Sequence, residues 1–254
     1  MSEESYSVLA HVYDSLNSHV DYGQLCDGIE ACFEKYLSKK PELVLDLACG
    51  TGKLTAELAR RGYDMIGVDA SVDMLMDARN NTEGLDVLLL EQDMCHFELY
   101  GTVGAVVCTY DSLNYLTGDG ELEQCFSLVH NYLDPGGLFV FDMNMPEKFR
   151  DYYAQKDFIL ESEDETVFCG WQSDYDEKSA LCRFILTIFE RNPDGSYRKS
   201  CEEQTERAYS SEMIRETLKK TGFELLMCSP TLPDQIQGAD VSGGRLYFAA
   251  RCLK

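Results

Sequence analysis

The residues best placed for chemistry are three acids, each closing a short apolar run, and a glycine-rich turn that follows the first. Val44-Leu45-Asp46-Leu47 leads into Ala48-Cys49-Gly50-Thr51-Gly52. Glycines at such a junction let backbone pass close to a ligand, and the helix that follows offers free N–H groups. Ile66-Gly67-Val68-Asp69 sets a second carboxylate 23 residues after Asp46. At the carboxyl edge of a neighbouring strand, such an acid can hold a ribose diol with two accepting oxygens. Glu91-Gln92-Asp93-Met94 supplies the third, suited to accept from an adenine amino group. A nucleoside-like ligand fits these types.

The spacing narrows the ligand further. A dinucleotide fingerprint needs G-x-G-x-x-G, whereas Ala48-Cys49-Gly50-Thr51-Gly52-Lys53 has no third glycine, which argues against a nicotinamide or flavin dinucleotide. A P-loop needs a glycine five residues before Gly-Lys-Ser/Thr, and Lys53 is followed by Leu54. Neither phosphate cradle is present. A ligand with an ammonium and a carboxylate suits the turn better: Asp46 can organise the loop and meet the amino group, while N–H groups near Gly50 to Gly52 face the carboxylate.

A second polar cluster, Cys108-Thr109-Tyr110-Asp111-Ser112-Leu113-Asn114-Tyr115, leaves a fourth apolar run. Asp111, Asn114 and Tyr115 are the candidates for orienting a substrate there. Trp171 and Tyr175 lie in a later segment and can add an aromatic wall. No Ser-His-Asp or Cys-His constellation stands out. The four histidines (His11, His19, His96, His130) are scattered, and the eleven cysteines contain no CxxC pair, so no metal is expected and the thiols read as reduced.

The elements that must position these residues change style near residue 150. Before it, helices Tyr6 to Leu16 and Tyr22 to Leu37 precede strands Leu43 to Leu47, Met65 to Val68, Val87 to Leu90 and Ala105 to Cys108, with helices between them. Leu122 to Leu133 is a helix that ends at Asp134-Pro135-Gly136-Gly137 and feeds the strand Leu138 to Asp142. Alternation of this kind predicts a parallel sheet covered on both faces. Later, Phe158 to Leu160, Thr166 to Trp171, Leu181 to Phe189 and Tyr197 to Tyr209 read as antiparallel strands, with Asn192-Pro193-Asp194-Gly195 a hairpin turn. A helix from Ser211 and strands Phe223 to Cys228 and Arg245 to Cys252 return to the main sheet. The expected division is residues 1–150 for the helices and binding core, 151–209 for an inserted antiparallel lid, and 210–254 for the elements completing the core.

Composition sets the partners. A net charge of -23 opposes a phosphate backbone, so nucleic acid is disfavoured and a small-molecule substrate expected. The first residues carry no basic cluster and the apolar runs are too short to span a bilayer, giving a cytoplasmic protein with no membrane contact. A homodimer built on the inserted sheet is the competing use of that segment.

Together the motifs resemble those of class I (Rossmann-like) S-adenosylmethionine-dependent methyltransferases, in particular a bacterial cytosolic group without assigned substrates. The resemblance rests on Tyr6, Ala10 and Tyr13-Asp14; Leu45 to Gly52; Val68-Asp69-Ala70-Ser71 with Met74-Leu75; Gln92-Asp93-Met94; and Pro135-Gly136-Gly137, in the expected order over residues 6 to 142. It implies a seven-stranded, mostly parallel α/β sheet with an inserted antiparallel β subdomain. By resemblance S-adenosylmethionine is the cofactor and S-adenosylhomocysteine the product. Asp69 would take the ribose, Met74 would lie against adenine, Asp93 would meet its amino group, and Gly50 and Gly52 would line the methionine end. Tyr13, Asp46, Ala48, Ala70, Gln92 and Met94 complete the implied cofactor set. Ala48 stands where a first glycine is usual, and Asp111-Ser112-Leu113-Asn114 lacks the Asn/Asp-Pro-Pro-Tyr motif of amino-methylating relatives. Methyl transfer needs alignment of a nucleophile more than a catalytic side chain. A non-catalytic module that binds the cofactor or its product to regulate a partner is the alternative function.

Overall fold

The computed structural model describes residues 8–233 and 244–254; Tyr6 and the start of the first predicted helix lie outside them. Two helices, α1 (Ala10–Leu16) and α2 (Tyr22–Tyr36), lead into β1 (Leu43–Leu47), α3 (Lys53–Arg60), β2 (Asp64–Asp69), α4 (Val72–Asn81), β3 (Val87–Glu91) and β4 (Val103–Cys108). After a 3-10 turn at Ser112–Tyr115 come α5 (Glu121–Tyr132), β5 (Leu133–Asn144) and α6 (Pro146–Asp151). The antiparallel strands are β6 (Phe158–Glu161), β7 (Val167–Asp176), β8 (Leu181–Arg191) and β9 (Tyr197–Arg207), followed by α7 (Ser211–Lys220), β10 (Phe223–Ser229) and β11 (Arg245–Cys252).

The main sheet has seven strands in the order β10-β11-β5-β4-β1-β2-β3. β1, β2, β3, β4 and β5 pair in parallel, and β11 runs antiparallel to both β5 and β10. The chain works outward from β1 to β3 and then returns to β4 on the other side of β1. That reversal opens a crevice beyond the carboxyl ends of β1 and β4, where ligands of open α/β sheets sit. Phe139 and Phe141 face one layer with Phe126 and Phe248, while Leu138 and Val140 face the other with Ile29, Phe33 and Leu58. Alternate side chains point to opposite faces of a strand, so a strand covered on both faces buries every residue.

The second sheet, in the order β6-β7-β8-β9, is antiparallel throughout. Val167, Cys169, Leu186 and Ile188 pack against Leu9, Val12 and Leu16 around α1, and Cys182 and Phe184 pack against Phe149 and Tyr153. Its last strand buries polar residues instead: Glu202, Gln204 and Glu206 are each at most 6% exposed. Glu202 is accounted for by the N-terminus of α1, whose free N–H groups need an acceptor. Its Oε2 accepts from Val8 N (3.0 Å) and Leu9 N (2.9 Å).

Three details differ from the sequence reading. The Pro135-Gly136-Gly137 turn lies inside β5 as an irregularity in its pairing with β4, rather than before the strand. Between β5 and the second sheet stand α6, begun by Pro146, and a 3-10 turn at Tyr153–Gln155. The strand predicted through Tyr209 stops at Arg207. Tyr209 leaves it to pack in the main core and donates its hydroxyl to the Leu116 carbonyl. Tyr209→Phe strands that buried carbonyl and is expected to lower unfolding free energy by about 1–3 kcal/mol, measured by denaturant titration.

Candidate active site

The turn after β1 is built from left-handed backbone. Ala48 (φ 59°), Gly50 (φ 54°) and Gly52 (φ 70°) all have positive φ, and Cys49 N donates to Val68 O (2.9 Å), tying the turn to β2. The two glycines serve different ends. A Cβ on Gly50 would meet nothing within 4 Å, because that position faces open space, and Gly50 lines a cavity. A Cβ on Gly52 would fall 2.9 Å from Ala78 Cβ on α4. Gly52 is thus required for the close approach of α3 to α4, and it is absent from the cavity wall, where the resemblance would have put it.

Asp69, at the end of β2, secures the turn. Its Oδ2 accepts from Gly50 N (2.8 Å) and its Oδ1 from Ser71 N (2.8 Å). Each carboxylate oxygen accepts two hydrogen bonds, so both keep a lone pair for a ligand. Asp46 is 2% exposed and accepts from Thr55 Oγ1 (2.6 Å). Burial drives its pKa up to about 7 against the pull of the Thr55 bond, and the Asp69 charge adds to the rise.

These residues border a cavity of about 550 Å³, within the roughly 300–1,000 Å³ of small-ligand clefts. Tyr13, Asp46, Ala48, Gly50, Asp69, Ala70, Met74, Gln92, Asp93 and Met94, all predicted, line it together. Thr51 and Lys53, which the sequence reading did not single out, do so as well. Both hold α1 in place: Asp14 accepts from Thr51 Oγ1 (2.8 Å) and pairs with Lys53 Nζ (3.3 Å). Tyr13, one residue earlier, is thereby set across the opening.

At the exit of β4, Tyr110 (φ 59°) and Asp111 (φ 53°) are consecutive non-glycine residues in the left-handed region. Each such residue costs about 1–3 kcal/mol unless its surroundings hold it. The holding group is Asp142, 1% exposed at the end of β5, which accepts from Tyr110 N (2.7 Å) and Asp111 N (3.0 Å). Arg245, from the start of β11, pairs with Asp142 (2.9 Å) and Asp111 (2.5 Å) and offsets part of their charge. Asn144 Nδ2 also donates to Asp111 Oδ2 (2.7 Å). Asp142, Asn144 and Arg245 were missed from sequence. Asp142 carried a signal, since it ends an apolar strand as Asp69 does; Arg245 carried none.

The predicted substrate-orienting residues divide accordingly. Asn114 is fully buried and spends its amide on backbone, donating to the carbonyls of Asn144 (3.0 Å) and Arg207 (2.8 Å) and accepting from Asn144 N (2.9 Å). Tyr115 borders the cavity and donates to Gln204 Oε1 (2.8 Å). Asp111 faces a second cavity, of about 540 Å³, roofed by the second sheet. Tyr13, Tyr110 and Tyr115 line both cavities. Trp171 is in the second wall, whereas Tyr175 stacks on Phe149 (5.8 Å between centroids) and belongs to neither. Among the described residues there is no cluster of three or more His, Cys, Asp or Glu able to hold a metal ion, and no helix is long and apolar enough to cross a membrane.

Comparison with known proteins agrees with this geometry. Residues 44–137 match a methyltransferase domain family. YqeM of Bacillus subtilis, a methyltransferase by provisional description, is 33% identical over 98% of both chains. A crystal structure of an S-adenosylmethionine-dependent methyltransferase from Clostridium acetobutylicum is 30% identical, covers 98% of this chain and 99% of its own, and superposes with a TM-score of 0.83. CalS10 of Micromonospora echinaspora, an amino pentose methyltransferase solved with S-adenosylmethionine bound, shares the fold at 21% identity, 97% coverage of both chains and a TM-score of 0.75. The chain belongs to the class I S-adenosylmethionine-dependent methyltransferases.

Two substitutions test the local reading. Ala48→Gly relieves a left-handed alanine and is expected to leave cofactor binding intact while raising stability by up to about 1 kcal/mol, read by thermal unfolding. Asn114→Ala leaves three buried backbone groups without their side-chain partner and should cost about 2–4 kcal/mol in the same assay.

Proposed function

We propose that the first cavity holds S-adenosylmethionine and the second receives a small-molecule acceptor, the two meeting at the gap between Tyr13, Tyr110 and Tyr115. The observation that carries this reading is the sharing of those three residues by both cavity walls. When bound, the cofactor supplies a methyl group already activated by its sulfonium. The chain's own residues then have to align the acceptor and keep water out.

In this reading Asp69 accepts from the ribose hydroxyls with its spare lone pairs, and Asp93 and Met94 flank the adenine. Asp46 and the Gly50 backbone face the methionine end. Met74 lies in the adenine wall. Asp111 and Tyr115 orient the acceptor from the β4 exit, and the sheet β6–β9 with α1 closes the second cavity against solvent. Two proteins of the same fold are named as an amino pentose methyltransferase and a sugar N-methyltransferase, which supports a small acceptor here.

Asp69→Ala is expected to weaken S-adenosylmethionine binding by about 1.5–3 kcal/mol in calorimetry, because charge-assisted bonds to two hydroxyls are lost. Unchanged affinity in the folded variant removes the ribose assignment. Asp46 gives a pH test. With its carboxyl raised to about 7, the charge that meets the cofactor ammonium appears only as pH rises through that value. Affinity should therefore climb from about pH 6 to about pH 8, and Asp46→Asn should flatten the slope. The stability linkage runs the other way: the contribution of Asp46 to folding is full below the ordinary carboxylate range and is lost as pH rises through about 7. Release of S-adenosylhomocysteine on adding a small-metabolite extract tests the whole reading, and its absence across extracts with intact cofactor binding would overturn it.

A further inference from the structure

Resting on that reading of the second cavity, we infer that its acceptor is an organic cation, an ammonium on a body that packs against aromatic rings, and that Glu206 is the side chain that reads the charge. Glu206 is on the inner face of β9, 3% exposed, and lines the cavity. Its Oε2 has no hydrogen-bond partner among the described residues. The polar residues beside it on the same strand face are committed. Glu202 receives the N–H groups of Val8 and Leu9, and Gln204 joins Tyr115 (2.8 Å) to Glu202 (2.7 Å). A buried carboxyl oxygen with an unmet bond is costly and calls for a partner, and one that lines a cavity can take it from a molecule held there.

The charge around it specifies the sign of the ligand. Among the described residues the wall carries three carboxylates, Asp21, Asp111 and Glu206, against two cations, Lys148 and Arg245. Arg245 and Asp111 are paired with each other, and Arg245 also with Asp142, which leaves Asp21 and Glu206 against Lys148. The whole chain, at -23, favours approach of a cation. Burial, and after it the Asp111 charge, hold the free Glu206 carboxyl well above its ordinary range, only partly offset by Arg245, Lys148 and a bond from Asn144. An ammonium beside Oε2 adds to the downward pull and favours the ionised form.

Aromatic rings lining the same cavity supply the second half of the recognition. Tyr152, Tyr153, Phe158 and Trp171 form a continuous aromatic surface, with Tyr152–Phe158 at 5.0 Å and both Tyr153–Trp171 and Phe158–Trp171 at 5.8 Å between centroids. Its rings already attract ammonium groups in this structure: Lys156 Nζ lies 4.0 Å from the Tyr152 centroid and Lys148 Nζ 5.6 Å from that of Tyr153. A carboxylate and aromatic rings bordering one cavity are the groups that favour an organic ammonium over a neutral or anionic group.

Trp171 is the only tryptophan, so its fluorescence reports on this wall alone. The probes are tyramine and tyrosol, which share the phenol ring and chain and differ in ending with an ammonium or a hydroxyl. Tyramine is expected to give a saturable change with affinity at least about tenfold above tyrosol, the ratio expected when a charged hydrogen bond replaces a neutral one. Glu206→Gln should remove that preference by weakening tyramine about tenfold while leaving tyrosol unchanged. Melting temperature and calorimetric S-adenosylmethionine binding establish that the variant is folded. Equal affinity for the two probes, no saturable tyramine response, or full tyramine affinity in Glu206→Gln overturns the inference. If wild-type protein fails to bind S-adenosylmethionine, the cofactor reading itself fails; if it binds and the probes are not distinguished, only the cation assignment does.

Discussion

At two places on the sheet, a carboxylate at the end of one strand accepts the backbone N–H groups of the loop leaving the strand beside it. Asp69 on β2 does this for the turn after β1, and Asp142 on β5 does it for the turn after β4. Both loops contain left-handed residues, three after β1 and two after β4, so neither is a conformation the chain adopts freely. Charge-assisted bonds in a site shielded from water are strong enough to hold such strain. Because β1 and β4 flank the topological reversal, the two held loops form adjacent sides of one crevice. Asp69 retains lone pairs for a ligand, whereas Asp142 is closed off by Arg245. One device therefore leaves carboxylate oxygens open to the first cavity in one case and serves scaffolding alone in the other.

The second cavity depends on a different constraint. A strand whose inner face reads Glu202, Gln204, Glu206 contradicts the apolar alternation expected of a sheet packed on a domain. The contradiction resolves once each partner is traced. Glu202 receives the N-terminus of α1, and Gln204 links it to Tyr115 on the β4 exit. Polar contacts thus connect α1, the second sheet and the loop between the two cavities. Burying polar groups there is tolerated because they are paired. Glu206 is where the pairing stops.

Much of the first cavity was legible in sequence because its residues sit at strand ends in chain order, a placement that short apolar runs and glycines announce. Tyr13, Asp46, Gly50, Asp69, Met74 and Asp93 meet around one cavity as that order implied. Gly52 was misread for a physical reason: a glycine needed for helix packing and one needed for ligand approach look identical without knowing that Ala78 lies opposite. Asn114 and Tyr175 looked functional because polar and aromatic residues are used in cores as well as sites. Arg245 was illegible because its partners Asp111 and Asp142 lie far off in sequence and meet it only through the antiparallel return of β11, and Glu206 because nothing in the spacing of β9 shows that its inner face borders a cavity. Short-range spacing carries no record of such pairings.

A crystal structure with S-adenosylhomocysteine bound tests the central claim most directly, since that claim concerns where the donor ends and the acceptor begins. The account predicts ribose hydroxyls on Asp69, adenine beside Asp93 and Met94, and the sulfur directed at the gap between Tyr13, Tyr110 and Tyr115, open to the cavity containing Trp171 and Glu206. A sulfur directed away from that gap, or a nucleoside seated off Asp69, would contradict it.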